Sequence, residues 1–316
     1  MNAPLIRVES ENENSLRATS PAKVNLWLEI LGRRDDGFHE IVSLMVPTTL
    51  VDHLAVNFEA AEDRLKVPGG GAPEDSSNLV LKALHCARAT RPIPPVEMEL
   101  TKRIPAQAGL GGGSGNAAAV LKCLHLRYPD PRGWAGVFKD AESLGSDISF
   151  FLGEGAAVVR GRGEILEAVQ EPLFMGISPH ACLWYPGFGL STAQVYQQLS
   201  GLLTSGHECR NFNIKNFRHG REGFSFLFNR LFEGARLVDS RIALISDLLE
   251  DHFSGRWIMT GSGSGFVIFA DDPEASEADA TLLKGAITSS CWVGNDASVS
   301  GIHGNEIHVV SLLAGS

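Results

Sequence analysis

The segment Lys102-Arg103-Ile104-Pro105-Ala106-Gln107-Ala108-Gly109-Leu110-Gly111-Gly112-Gly113-Ser114-Gly115-Asn116 is dense in glycine and runs directly into Ala117 to Ala119, Leu121 and Leu124. Without Cβ atoms a backbone takes positive φ freely and comes close to an anion, and the unpaired N–H groups and dipole of a following helix point at that anion. The spacing therefore predicts a phosphate cradle over Gly109 to Ser114, with Ser114 capping the helix. A flexible surface loop is the bland alternative, but such loops seldom lead straight into an alanine-rich helix. Two commoner glycine motifs fail on spacing. No lysine follows the glycines as G-x-x-x-x-G-K-[ST] requires, and a dinucleotide G-x-G-x-x-G breaks at Ser114, with no acidic ribose-binding residue ending a following strand.

Upstream of the loop, Val24, Leu26, Leu28 and Ile30 alternate with Asn25, Trp27 and Glu29, the period of a two-faced strand over 22–31. A polar glycine-bounded turn follows at 32–37, and 50–58 and 95–103 read as further strands. Ser76, Ser77 and Asn78 are N-cap candidates for an apolar-periodic helix that reaches about Arg91 and stops at Pro92. A second region begins after the polar stretch 167–179. It contains a strand at 181–185, a helix at 192–203, helical material at 223–250 broken near Gly234, and strands at 257–260 and 265–270 around a second glycine cluster. A helix from about Pro273 and more strand follow, while 204–221 has no period and reads as a mobile loop. The organisation expected is a tail at 1–18, a first domain at 19–170 carrying the phosphate loop, and a second domain at 171–316.

Hydrophobic residues make up 44% of the 316 and charged residues 20%, the composition of a folded chain without bulk disorder. A formal net charge of −10 repels polyanions, which argues against nucleic acid and anionic membranes as partners and leaves a small anionic metabolite in one local field possible. Cys86, Cys123, Cys182, Cys209 and Cys291 are odd in number, far apart and without C-x-x-C spacing, so a reducing cytoplasm is expected. The first residues carry Glu9, Glu11 and Glu13 rather than the basic and apolar parts of a signal peptide, and no segment reaches the length of a membrane span.

Three motifs resemble the GHMP kinase superfamily. They are Pro21-Ala22-Lys23-Val24-Asn25-Leu26 with Arg33 and Asp36-Gly37-Phe38-His39-Glu40; the glycine loop followed by Leu144-Gly145-Ser146-Asp147-Ile148-Ser149-Phe150-Phe151; and Met259-Thr260-Gly261-Ser262-Gly263-Ser264-Gly265. The resemblance spans about residues 20 to 270. It implies an α+β, two-domain architecture, with an N-terminal domain like the second domain of ribosomal protein S5, a ferredoxin-like C-terminal domain and the site between them. The first motif and Arg160-Gly161-Arg162-Gly163-Glu164 point within the superfamily to the branch whose acceptor is a cytidylyl-linked methylerythritol of the non-mevalonate isoprenoid route. The chain departs from the pattern at Gly115, where a second serine is usual, at Ser146 for alanine, at Ile148-Ser149 for Val-Pro, and at Phe38 for tyrosine. Residues 293–316 match nothing in it.

The resemblance implies ATP as co-substrate, with Mg²⁺, and assigns roles residue by residue. Asp147 would accept the proton of the acceptor hydroxyl, with Lys23 orienting that aspartate or stabilising the developing alkoxide; the bland alternatives are a helix N-cap and a solvated strand-end lysine. Asn78, Leu79, Lys102, Gly109, Leu110, Gly111, Gly112, Gly113 and Ser114 would hold the nucleotide, although Lys102 also reads as an exposed strand-end lysine. Asn25 would project beside Lys23 and hold substrate, or else be a satisfied core amide. Phe38 and Tyr196 would stack on a cytosine that His39 reads by hydrogen bonding; the bland alternatives are a structural histidine in a turn and a helix aromatic packed in the core. No protein metal ligand is assigned, and a monomer or homodimer is expected. Two rival readings stay open: another kinase of the superfamily, acting on mevalonate, homoserine or a sugar, and a noncatalytic nucleotide-binding protein of the same fold.

Overall fold

The computed structural model describes residues 4–170, 173–174, 180–202, 209–218, 220–289 and 305–313. In chain order the first part gives β1 (Arg7–Asn12), β2 (Ser15–Arg33), β3 (His39–Asn57), β4 (Arg64–Lys66), α1 (Leu79–Arg88), β5 (Glu97–Thr101), α2 (Gly112–Arg127), α3 (Gly133–Leu144), α4 (Ile148–Phe151), β6 (Ala157–Gly161) and β7 (Ile165–Ala168). The second part gives β8 (His180–Tyr185), α5 (Thr192–Leu202), β9 (Phe228–Asn229), α6 (Leu231–Val238), α7 (Arg241–Phe253), β10 (Trp257–Met259), β11 (Phe266–Ala270), α8 (Pro273–Ser289) and β12 (Glu306–Ser311).

Strands β1-β2-β3-β5-β4 form the spine of one sheet, with β6 and β9 added along β3 and β2 and β7 along β6; β10-β11-β8-β12 form a second, antiparallel sheet. The β8–α5…β10–β11–α8–β12 order of that second sheet is the βαββαβ arrangement of ferredoxin-like domains, so the expected α+β architecture is present. Helices α1 to α4 cover the first sheet, burying Val80, Leu84, Val120, Leu124, Phe150 and Phe151 against Leu54, Val56, Met98 and Leu100. Alternation along β8 sends Ala181 and Leu183 toward Val24, Val46 and Val158 of the first sheet, and Cys182 and Trp184 toward Val195, Ile245 and Leu283 of the helices behind.

The long strands explain where the sequence pattern misleads. Both faces of β2 are covered from Pro21 to Ile30, and Glu29, fully buried, is paired with Arg230 at 2.7 Å. The first half of β3, His39 to Pro47, shows no period for the same reason: it is buried on both faces from Ile41 to Pro47. The expected tail also differs. Arg7–Asn12 pairs antiparallel with β2, and Leu5 and Ile6 are buried in the first core. Helix α1 ends at Arg88, not Arg91. The break expected near Gly234 falls at Asp239 instead; Gly234 lies inside α6, where a Cβ would start 2.5 Å from the Val195 carbonyl oxygen of α5, so the glycine serves close helix packing.

Of the expected loop 204–221, Ile214–Arg218 is a 3₁₀ helix and a second one begins at Gly220, while 204–208 and 219 lie outside the described residues. Within 293–316, β12 completes the second sheet beside β8; the remainder, apart from 305 and 312–313, falls outside the described residues, as does Cys291. Among the described residues Cys86, Cys123, Cys182 and Cys209 are free thiols. No described helix is long and apolar enough to cross a membrane.

Candidate active site

Two irregularities in β2 bracket the residues that matter. Its register against β3 shifts between Pro21 and Lys23 and again between Asn25 and Trp27, leaving Lys23–Asn25 as a short in-register run opposite Met45–Pro47. Bulges of this kind re-aim side chains. Here they place Lys23 and Asn25 on the wall of a cavity of about 1140 Å³ between the glycine loop, the second glycine cluster and α5.

Lys23 is buried and shares its ammonium between Asn25 Oδ1, at 2.7 Å, and Asp147 Oδ2, at 3.6 Å. Asn25 is held in turn, donating through Nδ2 to Ser43 Oγ at 2.8 Å and through its backbone N–H to Thr260 Oγ1 at 3.1 Å. Its side chain is therefore satisfied and acts on Lys23. Asp147 precedes α4, a four-residue helix anchored by burial of Ile148, Phe150 and Phe151, each burial contributing about 1.5–3 kcal/mol. Its carboxylate makes no capping bond, so the N-cap alternative fails, and it keeps one-third of its side-chain surface open. An accessible carboxylate beside a buried ammonium is the arrangement a proton acceptor and its orienting cation require.

The glycine loop is fixed by close backbone approach. Lys23 N–H donates to the Leu110 carbonyl at 2.9 Å, and Gly265 N–H to the Ala108 carbonyl at 3.1 Å. A Cβ on Gly109, whose φ is +72°, would lie 2.1 Å from the Thr260 carbonyl oxygen, so the two glycine clusters touch where no side chain fits. Helix α2 starts at Gly112 with Gly111 as its N-cap and no side-chain cap bond. Ser114 therefore does not cap. It lies in the first turn, where it lines the cavity with Gly109 to Gly113 and Leu79.

Two residues expected at the nucleotide do not line the cavity. Asn78 caps α1, accepting from Val80 N–H at 2.9 Å and donating to the Pro73 carbonyl at 2.6 Å. Lys102 pairs with buried Asp52 and reaches Asn116 Oδ1 at 3.1 Å, its ammonium 3.1 Å from where a Cβ on Gly112 would stand. Asp52 also accepts the N–H groups of Arg103 and Ile104, at 2.7 and 2.9 Å, and so holds the approach to the loop.

Gly115, the departure from the family pattern, has a local cause. A Cβ there would begin 2.2 Å from Ser20 Oγ and 3.4 Å from the Phe151 ring, and the Ser20 hydroxyl is buried with no hydrogen-bond partner. Ser20 fills the space a serine at 115 would need. Gly115→Ser is expected to destabilise the fold by about 1–3 kcal/mol, the cost of overpacking, and Ser20→Ala added to it should recover most of that loss. Equal melting temperatures for Gly115→Ser and the parent chain would contradict this.

The other half of the cavity carries the aromatic residues. His39 lies 4.9 Å from Tyr196, ring centre to ring centre, and its Nε2 is 3.0 Å from Ser200 Oγ. Ser200 donates its own proton to the Tyr196 carbonyl at 2.8 Å, so the hydroxyl must accept from His39. His39 is then the Nε2–H tautomer with Nδ1 bare. Burial, and then the charge of Arg33, hold its pKa below 6.5, while burial, and then the charge of Asp147, raise that of the Tyr196 phenol. The sign follows: His39 is neutral at pH 7 and protonates only on acidification. Its proton NMR titration should have a midpoint below 6.5, and Arg33→Ala should move it up only in part, since burial remains. A midpoint above 6.5 would contradict the placement.

Phe38 is half exposed at the cavity rim, with the Arg162 guanidinium carbon 4.8 Å from its ring centre. Arg33, Arg162, Thr192, Gly261, Ser262 and Gly263 also line the cavity. Sequence reasoning had not placed them at the site. Arg162 could have been found from its position between two glycines.

Two glycine-rich segments meet beside the Lys23–Asp147 pair, and residues 78–152 match the family described as GHMP kinases N terminal domain. A 4-diphosphocytidyl-2-C-methyl-D-erythritol kinase of Syntrophus aciditrophicus (strain SB) is 33% identical over 274 residues, 85% of this chain and 95% of that protein. A crystal structure of 4-(cytidine 5'-diphospho)-2C-methyl-D-erythritol kinase superposes with a TM-score of 0.70 at 27% identity, covering 95% of this chain and 100% of that one. Homoserine kinase from Cytophaga hutchinsonii, at 15% identity and a TM-score of 0.63 over 97% of each chain, shares the fold alone. The chain belongs to the 4-diphosphocytidyl-2-C-methyl-D-erythritol kinase family, phosphotransferases with an alcohol group as acceptor.

Proposed function

We propose that this chain transfers the γ-phosphoryl group of ATP to the 2-hydroxyl of 4-diphosphocytidyl-2-C-methyl-D-erythritol, in the cytoplasm, on the non-mevalonate route to isoprenoid precursors. One observation carries the reading: the Lys23–Asp147 pair, 3.6 Å apart, lines one cavity together with the glycine loop and the His39–Tyr196 pair. The γ-phosphate lies over the loop N–H groups, and the acceptor hydroxyl lies between it and Asp147. Asp147 takes the hydroxyl proton as the new O–P bond forms, and Lys23, held by Asn25, keeps that carboxylate aimed. The bare Nδ1 of neutral His39 accepts from the cytosine amino group, and Phe38 and Tyr196 offer faces for stacking, a contact of about 1–3 kcal/mol per base. Protonation of His39 removes that acceptor, so the KM for the cytidylyl substrate rises as pH falls.

Mg²⁺ fits the donor set. No cluster of three His, Cys, Asp or Glu ligands exists among the described residues, and Mg²⁺ is ordinarily held through substrate phosphates with few protein oxygens; the Ser114 hydroxyl in the cavity lining would supply one here. When bound it would neutralise charge on the β- and γ-phosphate oxygens. Turnover with Mg-ATP against the cytidylyl acceptor, mevalonate, homoserine and galactose, read as ADP release, tests the reading. Activity on the cytidylyl acceptor alone supports it. Preference for one of the others makes the chain a different kinase of the superfamily, and nucleotide binding without any turnover makes it a noncatalytic member.

A further inference from the structure

Lys23 and Asp147 do not exhaust the charge in the cavity. Its lining holds three permanent cations, Lys23, Arg33 and Arg162, against one carboxylate, Asp147. Lys23 pairs with that carboxylate at 3.6 Å, and no described carboxylate comes within ion-pair range of Arg33 or Arg162. In a chain with a formal net charge of −10, two guanidinium groups with no ion-pair partner among the described residues, Arg162 only at longer range from the Asp36 carboxylate, make this wall a local anion-attracting patch.

The two cations belong to the acceptor half, since Arg162 stacks on Phe38 and the charge of Arg33 acts on His39. Arg162 is also held in place. It stands between Gly161, φ +74°, and Gly163, φ +130°, at the tip of the β6–β7 turn. The Glu164 carboxylate folds back under Gly161, where a Cβ would meet it at 2.6 Å, and accepts the Arg162 N–H at 2.6 Å. A Cβ on Gly163 would start 2.8 Å from Ser146 Cβ, so the turn sits tightly against the residue preceding Asp147. Glycine spacing, the glutamate brace and the Phe38 face together leave the guanidinium fork at the rim with free donors.

We infer that Arg162, seconded by Arg33, binds the diphosphate that links nucleoside and polyol in the acceptor, and so makes the site select a nucleoside diphosphate conjugate over an uncharged alcohol. This rests on the acceptor class proposed above. A planar fork suits a diphosphate better than a point charge, because parallel N–H donors fit paired phosphate oxygens. The Gly-Arg-Gly-Glu stretch is then a specificity element built on a turn.

The test is calorimetric binding of CDP and of cytidine to the full chain, with the nucleotide loop saturated by a non-hydrolysable ATP analogue and Mg²⁺. The parent chain should bind CDP more tightly than cytidine. Arg162→Ala should weaken CDP about 10- to 100-fold, the worth of hydrogen bonds to a charged group, with cytidine weakened far less and melting temperature unchanged. Arg162→Lys should recover only part, and Arg33→Ala should cost less than Arg162→Ala. Failure of the parent chain to bind either ligand would sink the acceptor reading and this inference with it. Tight CDP binding that survives Arg162→Ala would leave the acceptor reading standing and overturn the role of Arg162.

Discussion

Asp147→Asn should lower kcat by about 10²- to 10⁴-fold, the usual contribution of a positioned general base, with nucleotide affinity nearly unchanged. The substitution keeps shape and removes the proton acceptor, and it should not disturb folding, because the Asp147 side chain caps nothing and α4 is held by Ile148, Phe150 and Phe151. Lys23→Ala should also depress kcat. The double variant should be little worse than the more damaging single one, because groups that act as a unit are not additive. Loss confined to KM would make both residues binding groups only, and near-normal kcat for Asp147→Asn would leave alignment and charge neutralisation to carry the transfer.

Gly109→Ala should be the most damaging change in the loop, and Gly113→Ala should separate fold from phosphate binding. At Gly109 the added Cβ meets the Thr260 carbonyl oxygen at 2.1 Å with φ at +72°, so the loop and the second glycine cluster must part. Both melting temperature and activity should fall. At Gly113 the nearest atom is Leu79 Cδ1 at 3.6 Å, ordinary contact, and the residue is helical. Alanine there is favoured by roughly 0.8–1 kcal/mol of helix propensity, so stability should hold or rise while the KM for ATP climbs, because the methyl stands where phosphate must approach. A Gly113→Ala variant with unchanged KM for ATP would remove that residue from the cradle.

What the sequence revealed and what it hid divide along physical lines. The glycine loop was legible because an absence of side chains before a helix has few purposes. The Asn78 cap was legible too, but the capping role consumes the side chain that the family resemblance had placed at the nucleotide. The Lys102 ion pair was hidden because its partner, Asp52, lies on the neighbouring strand fifty residues away by number, and a lysine alone does not announce such a pair. The first half of β3 showed no alternation because both of its faces are covered. Gly234 looked like a helix break and is a close-packing position against α5. Arg162 went unassigned because its task depends on Phe38, which the chain supplies more than a hundred residues earlier.

The phosphorus NMR spectrum of the product formed from Mg-ATP and 4-diphosphocytidyl-2-C-methyl-D-erythritol tests the central claim most directly. The 2-hydroxyl is tertiary, since its carbon also bears the methyl group, so phosphate placed there has no proton on the adjoining carbon. The account predicts a new monoester resonance without three-bond coupling to a carbinol proton, formed in step with ADP and about 10²- to 10⁴-fold more slowly with Asp147→Asn. A resonance split by such a proton, or ADP released with free phosphate and an unaltered acceptor, would contradict it.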